Sequence, residues 1–104
     1  MIQGRERLSG LLGLARRAGK LTLGSDAVEN GLRHQKIHAV VLAEDAARAT
    51  VKKFEEASAR NGVPIFQAFS RDELGKLMGR ETLAILGVND SSFALAIEKI
   101  IKVS

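Results

Sequence analysis

Ile37-His38-Ala39-Val40-Val41-Leu42-Ala43-Glu44-Asp45 is the stretch on which the fold turns. From Ile37 to Ala43 only His38 breaks an apolar run of strand length, and neither face of that strand is polar. A strand apolar on both faces must be covered on both, which makes this run a central strand between two layers of helix. The segments on its N-terminal side supply helices. Ser25 caps one that runs to about Gln35 with Val28 and Leu32 on one face. Before it, Leu21-Thr22-Leu23 is a short extended piece, and Leu8, Leu11, Leu12 and Ala15 mark a first helix ending near Gly19.

On the C-terminal side, Val51, Phe54 and Ala57 or Ser58 share the face of a long helix that Asn61-Gly62 stops. Val63 to Phe69 is a third strand, and Pro64, which cannot donate to a ladder, puts its position at a strand start or a sheet edge. Ser70-Arg71-Asp72-Glu73 is a capping box with Phe69 placed to staple against Leu74, so a short helix starts there. Thr82 to Val88 is a second buried strand, and Asn89-Asp90-Ser91 caps a last helix with Phe93, Ile97 and Ile100 inward. The order αβαβαβαβα predicts an α/β fold: a three-layer α/β/α sandwich with a mixed four-stranded sheet, one domain over residues 1–104.

Composition narrows the function. Apolar residues make up 45% and charged residues 27% of 104, and no run approaches the roughly 18 apolar residues of a membrane span. The charged N-terminal segment, Gly4-Arg5-Glu6-Arg7, does not read as a signal peptide, so the expected location is the cytoplasm. The absence of cysteine removes disulfide frameworks, thiolate zinc sites and cysteine nucleophiles, and two histidines alone, His34 and His38, do not make a metal site. Sixteen basic against twelve acidic residues give a net charge of +4, a field that favours a polyanion.

Several candidate sites follow from the residues. Gly10-Leu11-Leu12-Gly13 has the spacing of a GXXG nucleic-acid loop, but its leucines belong to an apolar helix face, and close helix packing is the better reading. Glu44, Asp45 and Asp90 follow buried strands and, taken together, suggest magnesium-assisted phosphoryl chemistry; the plainer role for Asp45 and Asp90 is as N-caps of the helices they precede. With no Trp or Tyr, and with Phe54, Phe66, Phe69 and Phe93 in core-like patterns, base stacking on exposed rings is not expected. The best cluster is Arg16, Arg17 and Lys20 before the Gly24-Ser25-Asp26 turn. There the free N–H groups of Ser25 to Val28 can donate to phosphate, with roughly half a positive charge of helix dipole behind them.

A resemblance is carried by Gly13-Leu14-Ala15-Arg16-Arg17-Ala18-Gly19-Lys20, Gly24-Ser25-Asp26-Ala27-Val28, Val40-Val41-Leu42-Ala43-Glu44-Asp45-Ala46 and Glu73-Leu74-Gly75-Lys76 after Val63-Pro64. Through these the chain resembles the kink-turn-binding ribosomal proteins of the archaeal large-subunit and box C/D type, and among them the small bacterial YlxQ-type members. The resemblance implies an α/β/α sandwich that binds structured RNA without catalysis, applying the start of the second helix to the sheared G·A pairs of a kink-turn. It also implies a cytoplasmic monomer with no cofactor, metal, membrane or small-molecule substrate. Gly24 matches the family glycine and Lys20 a basic residue just upstream. The expected RNA-binding set is Arg16, Arg17, Lys20, Gly24, Ser25, Asp26, Ala27, Asn30, Glu44 and Asp45, with Arg48 and Arg80 flanking.

The pattern departs at two places. Asp26, Ala27 and Asn30 stand where the family has Asn, Glu and Lys, so an acceptor-only carboxylate replaces the key amide. Gly79-Arg80-Glu81-Thr82 is short and charged where the family carries a longer apolar loop over extruded bases. Both departures lower the expected affinity and motivate an alternative: a ribosome- or stress-associated protein-interaction module that keeps the fold with weak RNA binding or none.

Overall fold

Helices and strands alternate through the chain in the order the periodicities predict. The computed structural model describes residues 2–103. Its elements are α1 (Ile2–Arg17), β1 (Leu21–Leu23), α2 (Ser25–Arg33), β2 (Ala39–Leu42), α3 (Arg48–Arg60), β3 (Ile65–Gln67), α4 (Arg71–Leu77), β4 (Ile85–Val88) and α5 (Ser91–Val103). The sheet is mixed, ordered β1-β4-β2-β3: β2 pairs parallel with β3, and β4 runs antiparallel to both β1 and β2. The strands are shorter than the apolar runs that announced them. Ile37 and Ala43 are buried yet lie just outside the strand, although Ala43 N–H still donates to the Ala84 carbonyl at 2.8 Å.

Every residue of β2 and β4 is buried, as a strand covered on both sides requires. Alternation then sorts the side chains. Ala39 and Val41 face one core with Leu86 and Val88, against Leu12 of α1, Leu74 of α4 and Ile97 of α5. Val40, Leu42 and Ile85 face the other core, against Val28 and Leu32 of α2 and Phe54 of α3. The sandwich therefore has α1, α4 and α5 on one side and α2 and α3 on the other.

Pro64 precedes β3, which is an edge strand, so its missing N–H costs no inner ladder bond. The capping box forms in full: Ser70 Oγ accepts from Glu73 N–H, and the Glu73 carboxylate accepts from Ser70 N–H. Phe69 and Leu74 on either side of it lie in one core cluster. Arg5 pairs with the same Glu73 carboxylate and lies over the Phe69 ring, 4.6 Å from its centroid. That arginine, then the Ser70 amide, holds the Glu73 carboxyl below its ordinary range. A carboxyl whose pKa is lowered by folding stabilises the fold above its unfolded value and loses that contribution as pH falls through the folded one. The stability difference between the native chain and Glu73→Gln is therefore expected near neutral pH and to vanish in acid below the lowered Glu73 value, which urea titrations at several pH values would check.

Four expectations need correcting. Asp45 does not cap α3: the helix starts at Arg48 and its N-cap is Ala47, so Asp45 is too far upstream. Its carboxylate instead accepts from Arg71 N–H at 2.8 Å and pairs with the Arg71 guanidinium, pinning the start of α4. Asp90 does cap its helix, accepting from Phe93 N–H at 2.9 Å. Ser25 is the first residue of α2 and Gly24 is its N-cap. Gly10 and Gly13 do not mediate close packing, since a β-carbon at either would meet open space; buried Leu12 makes the contact. Glu44 and Asp45 cannot share a cation with Asp90, because β2 and β4 are antiparallel and their C-terminal ends lie at opposite ends of the sheet. Among the described residues no cluster of potential metal ligands forms.

Candidate nucleic-acid interface

Strands β1 and β2 both run antiparallel to β4, so both deliver the chain to the same end of the sheet, where β4 begins. The helices that follow, α2 and α3, consequently start at that end and pack on one face, tied by a Glu29–Lys53 ion pair at 3.2 Å. Neither start is capped by a side chain. This contrasts with α4 and α5, whose first turns are closed by Ser70 and Asp90. Two neighbouring helix dipoles therefore point their positive ends out of the same surface.

Gly24 makes the α2 tip. Its N–H donates to the Ile85 carbonyl at 3.1 Å, which turns the chain sharply off the sheet, and its φ of 93° with ψ of 159° is a conformation open almost only to glycine. Val28 N–H donates to the Gly24 carbonyl at 3.0 Å, so Val28 is not among the open donors as expected; the open set is Ser25, Asp26 and Ala27. At α3 the equivalent amides belong to Arg48, Ala49 and Thr50, since Val51 N–H donates to Ala47.

Glycines seat two arginines, one of which reaches the α2 tip. A β-carbon on Gly79 would stand 2.9 Å from Arg16 Nη2, and Gly79 adopts φ of 71°, so the Arg16 guanidinium lies across bare backbone. The next residue, Arg80, brings Nη1 to 3.8 Å from the β-carbon position of Gly24. Arg80 is itself placed by its N–H, which donates to the Gly75 carbonyl at 2.7 Å. Gly75 lets this happen: a β-carbon there would meet backbone atoms of Arg80, Glu81 and Thr82 within 2.8 Å. The Glu-Leu-Gly-Lys glycine thus has a mechanical purpose, seating the Arg80 loop against α4.

Other expected site residues separate. Lys20 sits at the opposite end of β1 from Gly24, with its carbonyl accepting from Asn89 N–H and its ammonium 3.9 Å from Asp90. Charge and proximity in sequence had suggested one cluster; the intervening strand divides it. Arg17 ends α1 and is exposed in the segment leading to Lys20. Asn30 is further along α2 and lines a groove with Thr22 and Asn89 instead of the tip. Glu44 and Asp45 share the Gly24 end of the sheet, but Glu44 lines a groove with Arg5 and Phe69 on the α1 side, and Asp45 is engaged by Arg71. Asp26 remains beside the open amides, in the first turn of α2. The bare start of α3 and the Arg16–Gly79 contact were not foreseen. Ala47 in front of Arg48, a residue that cannot cap, was the available signal for the first.

A small α/β/α module with two uncapped helix starts and arginines at one end can hold an anionic backbone. The chain belongs to the ribosomal protein L7Ae/L30e/S12e/Gadd45 family, whose pattern matches residues 6–95. It is 34% identical over 98 residues to the RNA-binding protein YlxQ of Enterococcus faecium, covering 94% of each chain. It is 38% identical over 84 residues to RNA-binding protein YlxQ of Bacillus subtilis, covering 81% of this chain and 84% of that one. Among solved structures, a Bacillus halodurans protein of unknown function superposes with a TM-score of 0.88 at 30% identity, over 94% of this chain and 98% of that one. The Giardia lamblia 15.5kD RNA binding protein shares the fold, with a TM-score of 0.80 at 16% identity over 96% and 86% of the two chains.

Proposed function

We propose that this protein binds structured RNA of the kink-turn kind, without catalysis, through the end of the sandwich where α2 and α3 begin. The observation that carries the reading is the pair of uncapped helix starts at one surface, with Arg80 beside Gly24 and Arg48 opening α3. Phosphate oxygens accept from the Ser25 to Ala27 and Arg48 to Thr50 amides, and the guanidinium groups of Arg16, Arg48 and Arg80 add charge-assisted bonds. Relatives named as RNA-binding proteins support the same assignment. Asp26 opposes it locally, since a carboxylate in the first turn cannot donate to a base and repels phosphate.

Titrating a kink-turn RNA duplex against the protein over a series of salt concentrations tests this. Affinity is expected to fall with a log–log slope of about 0.7 to 0.9 per neutralised phosphate. Arg80→Ala is expected to reduce that slope by about one phosphate, and Lys20→Ala to leave it unchanged because Lys20 is at the other end. Asp26→Asn is expected to tighten binding by about tenfold, the return of one charge-free donor pair. A salt-independent interaction, or no interaction, would sink the assignment and favour a protein-interaction module.

A further inference from the structure

A second groove lies away from the α2 tip. It runs down the side of α2 along the open β1 edge, floored by Ala27, Gly31 and Ile37 and rimmed by Thr22, Asn30, Gln35, Lys36, His38 and Asn89. Three features give it a chemistry. The floor is apolar and flat: Gly31 has no room for a β-carbon, which would stand 2.7 Å from Ile37 Cγ1, so helix backbone and the isoleucine meet flush. The rim holds three carboxamides, Asn30, Gln35 and Asn89, the last already donating one N–H to Thr22 Oγ1 at 3.2 Å, with Lys36 on the rim as a cation. No carboxylate lines it among the described residues; Asp26 lies on α2 before Ala27, and Asp90 is turned to Lys20 and Phe93 N–H.

The third feature is strain. Gln35 has φ of 57°, in the left-handed region where glycine or asparagine normally ends a helix. Its N–H donates to Leu32 and the Lys36 N–H to Gly31, so a Schellman ending is formed by a residue poorly suited to it. Gln35, so held, lines the groove and carries a carboxamide there. A glycine would relieve the backbone and remove that amide.

We infer that this groove is a subsite for an unpaired ribonucleotide of the RNA strand held at the α2 tip. The base lies on the Ala27–Gly31–Ile37 floor, its edge is read by the Gln35, Asn30 and Asn89 amides, and Lys36 meets a flanking phosphate. Ala27 belongs to both places: its amide is open at the tip and its side chain lines the upper groove. A nonpolar floor with paired donors and acceptors fits the face and edge of a nucleobase, and Lys36 on a rim without carboxylates favours an anionic strand. The inference rests on the RNA reading above, and its test separates the two.

Amide NMR spectra of the labelled full-length chain would be recorded with a blunt kink-turn duplex, with an unpaired ribonucleotide tetramer of mixed sequence, and with free mononucleotides. The tetramer is expected to shift the side-chain NH2 signals of Gln35, Asn30 and Asn89. Gln35→Gly is expected to raise Tm while lowering tetramer affinity about fivefold to tenfold and leaving blunt-duplex binding unchanged. Tetramer shifts confined to Ser25–Ala27, or an undiminished tetramer affinity in Gln35→Gly, would overturn the groove while leaving the tip assignment standing. Mononucleotides binding as tightly as the tetramer would overturn the strand origin of the ligand. Groove shifts with the tetramer but none at the tip with the duplex would uphold the base subsite and overturn the kink-turn reading.

Discussion

Gly75→Ala is expected to destabilise the protein by about 3 kcal/mol, at the upper end of what overpacking costs. The methyl would stand 2.7 Å from Thr82 Cα and 2.8 Å from both the Arg80 carbonyl oxygen and the Glu81 carbonyl carbon. All three are backbone, so no side-chain rotation relieves the clash, and either α4 or the loop from Arg80 to Thr82 must move. Moving the loop breaks the Arg80 N–H bond to Gly75 and withdraws the guanidinium from Gly24. RNA affinity is expected to fall about tenfold in addition, near the worth of one charge-assisted phosphate contact. Urea unfolding and RNA titration on the same preparation check the pair. Gly13→Ala, which meets open space in α1, is the control and is expected to stabilise by about 0.5 to 1 kcal/mol. A Gly75→Ala protein as stable as the native one would mean that the loop yields freely and does not place Arg80.

Much of the fold was legible because its signals are local. The Ile37 to Ala43 run and the Thr82 to Val88 run each declare burial on two faces, and the Ser70 to Glu73 box fixes a helix start by its own hydrogen bonds. What a single segment cannot declare is which neighbour claims its polar groups. Asp45 was free to cap the helix after it or the helix packed beside it, and the parallel pairing of β3 with β2 brought the Arg71 amide within reach. Register along the sheet is similarly a property of pairs, so the separation of Asp90 from Glu44 and Asp45 waited on β4 being antiparallel.

The candidate site divides in the same way. The Gly24 tip was legible as a glycine before a helix with basic residues near it. Lys20 was misplaced because closeness in sequence stood in for closeness in space, and three residues of extended chain are enough to carry a side chain across the sheet, roughly 3.3 Å at each step. Arg16 meets Gly79, in the turn after α4 of its own layer, through a contact that no periodicity marks. Gln35 was hidden for the opposite reason: sequence rules expect glycine where the chain turns left-handed, and a glutamine there reads as helix continuing.

Gly24→Ala is the change that bears most directly on function. At φ of 93° and ψ of 159° an alanine pays about 2 kcal/mol for its backbone alone, and since its β-carbon would lie 3.8 Å from Arg80 Nη1, a contact of ordinary length, the free protein gains no steric clash beyond that. The stability loss is therefore moderate and the fold survives. At the interface the same methyl adds bulk to the N-cap residue next to the open Ser25 to Ala27 amides, where a phosphate must come within about 3 Å of nitrogen. RNA affinity is expected to fall more than tenfold, measured at a temperature where the variant is fully folded. Gly62→Ala supplies the matched comparison: its φ of 65° makes alanine costly by about 1 to 2 kcal/mol, yet it lies in the turn after α3, at the far end of that helix from Arg48. If the two variants lost affinity equally, the effect would belong to stability and the α2 tip would not be where RNA binds; if only Gly24→Ala loses it, the bare helix start is the contact.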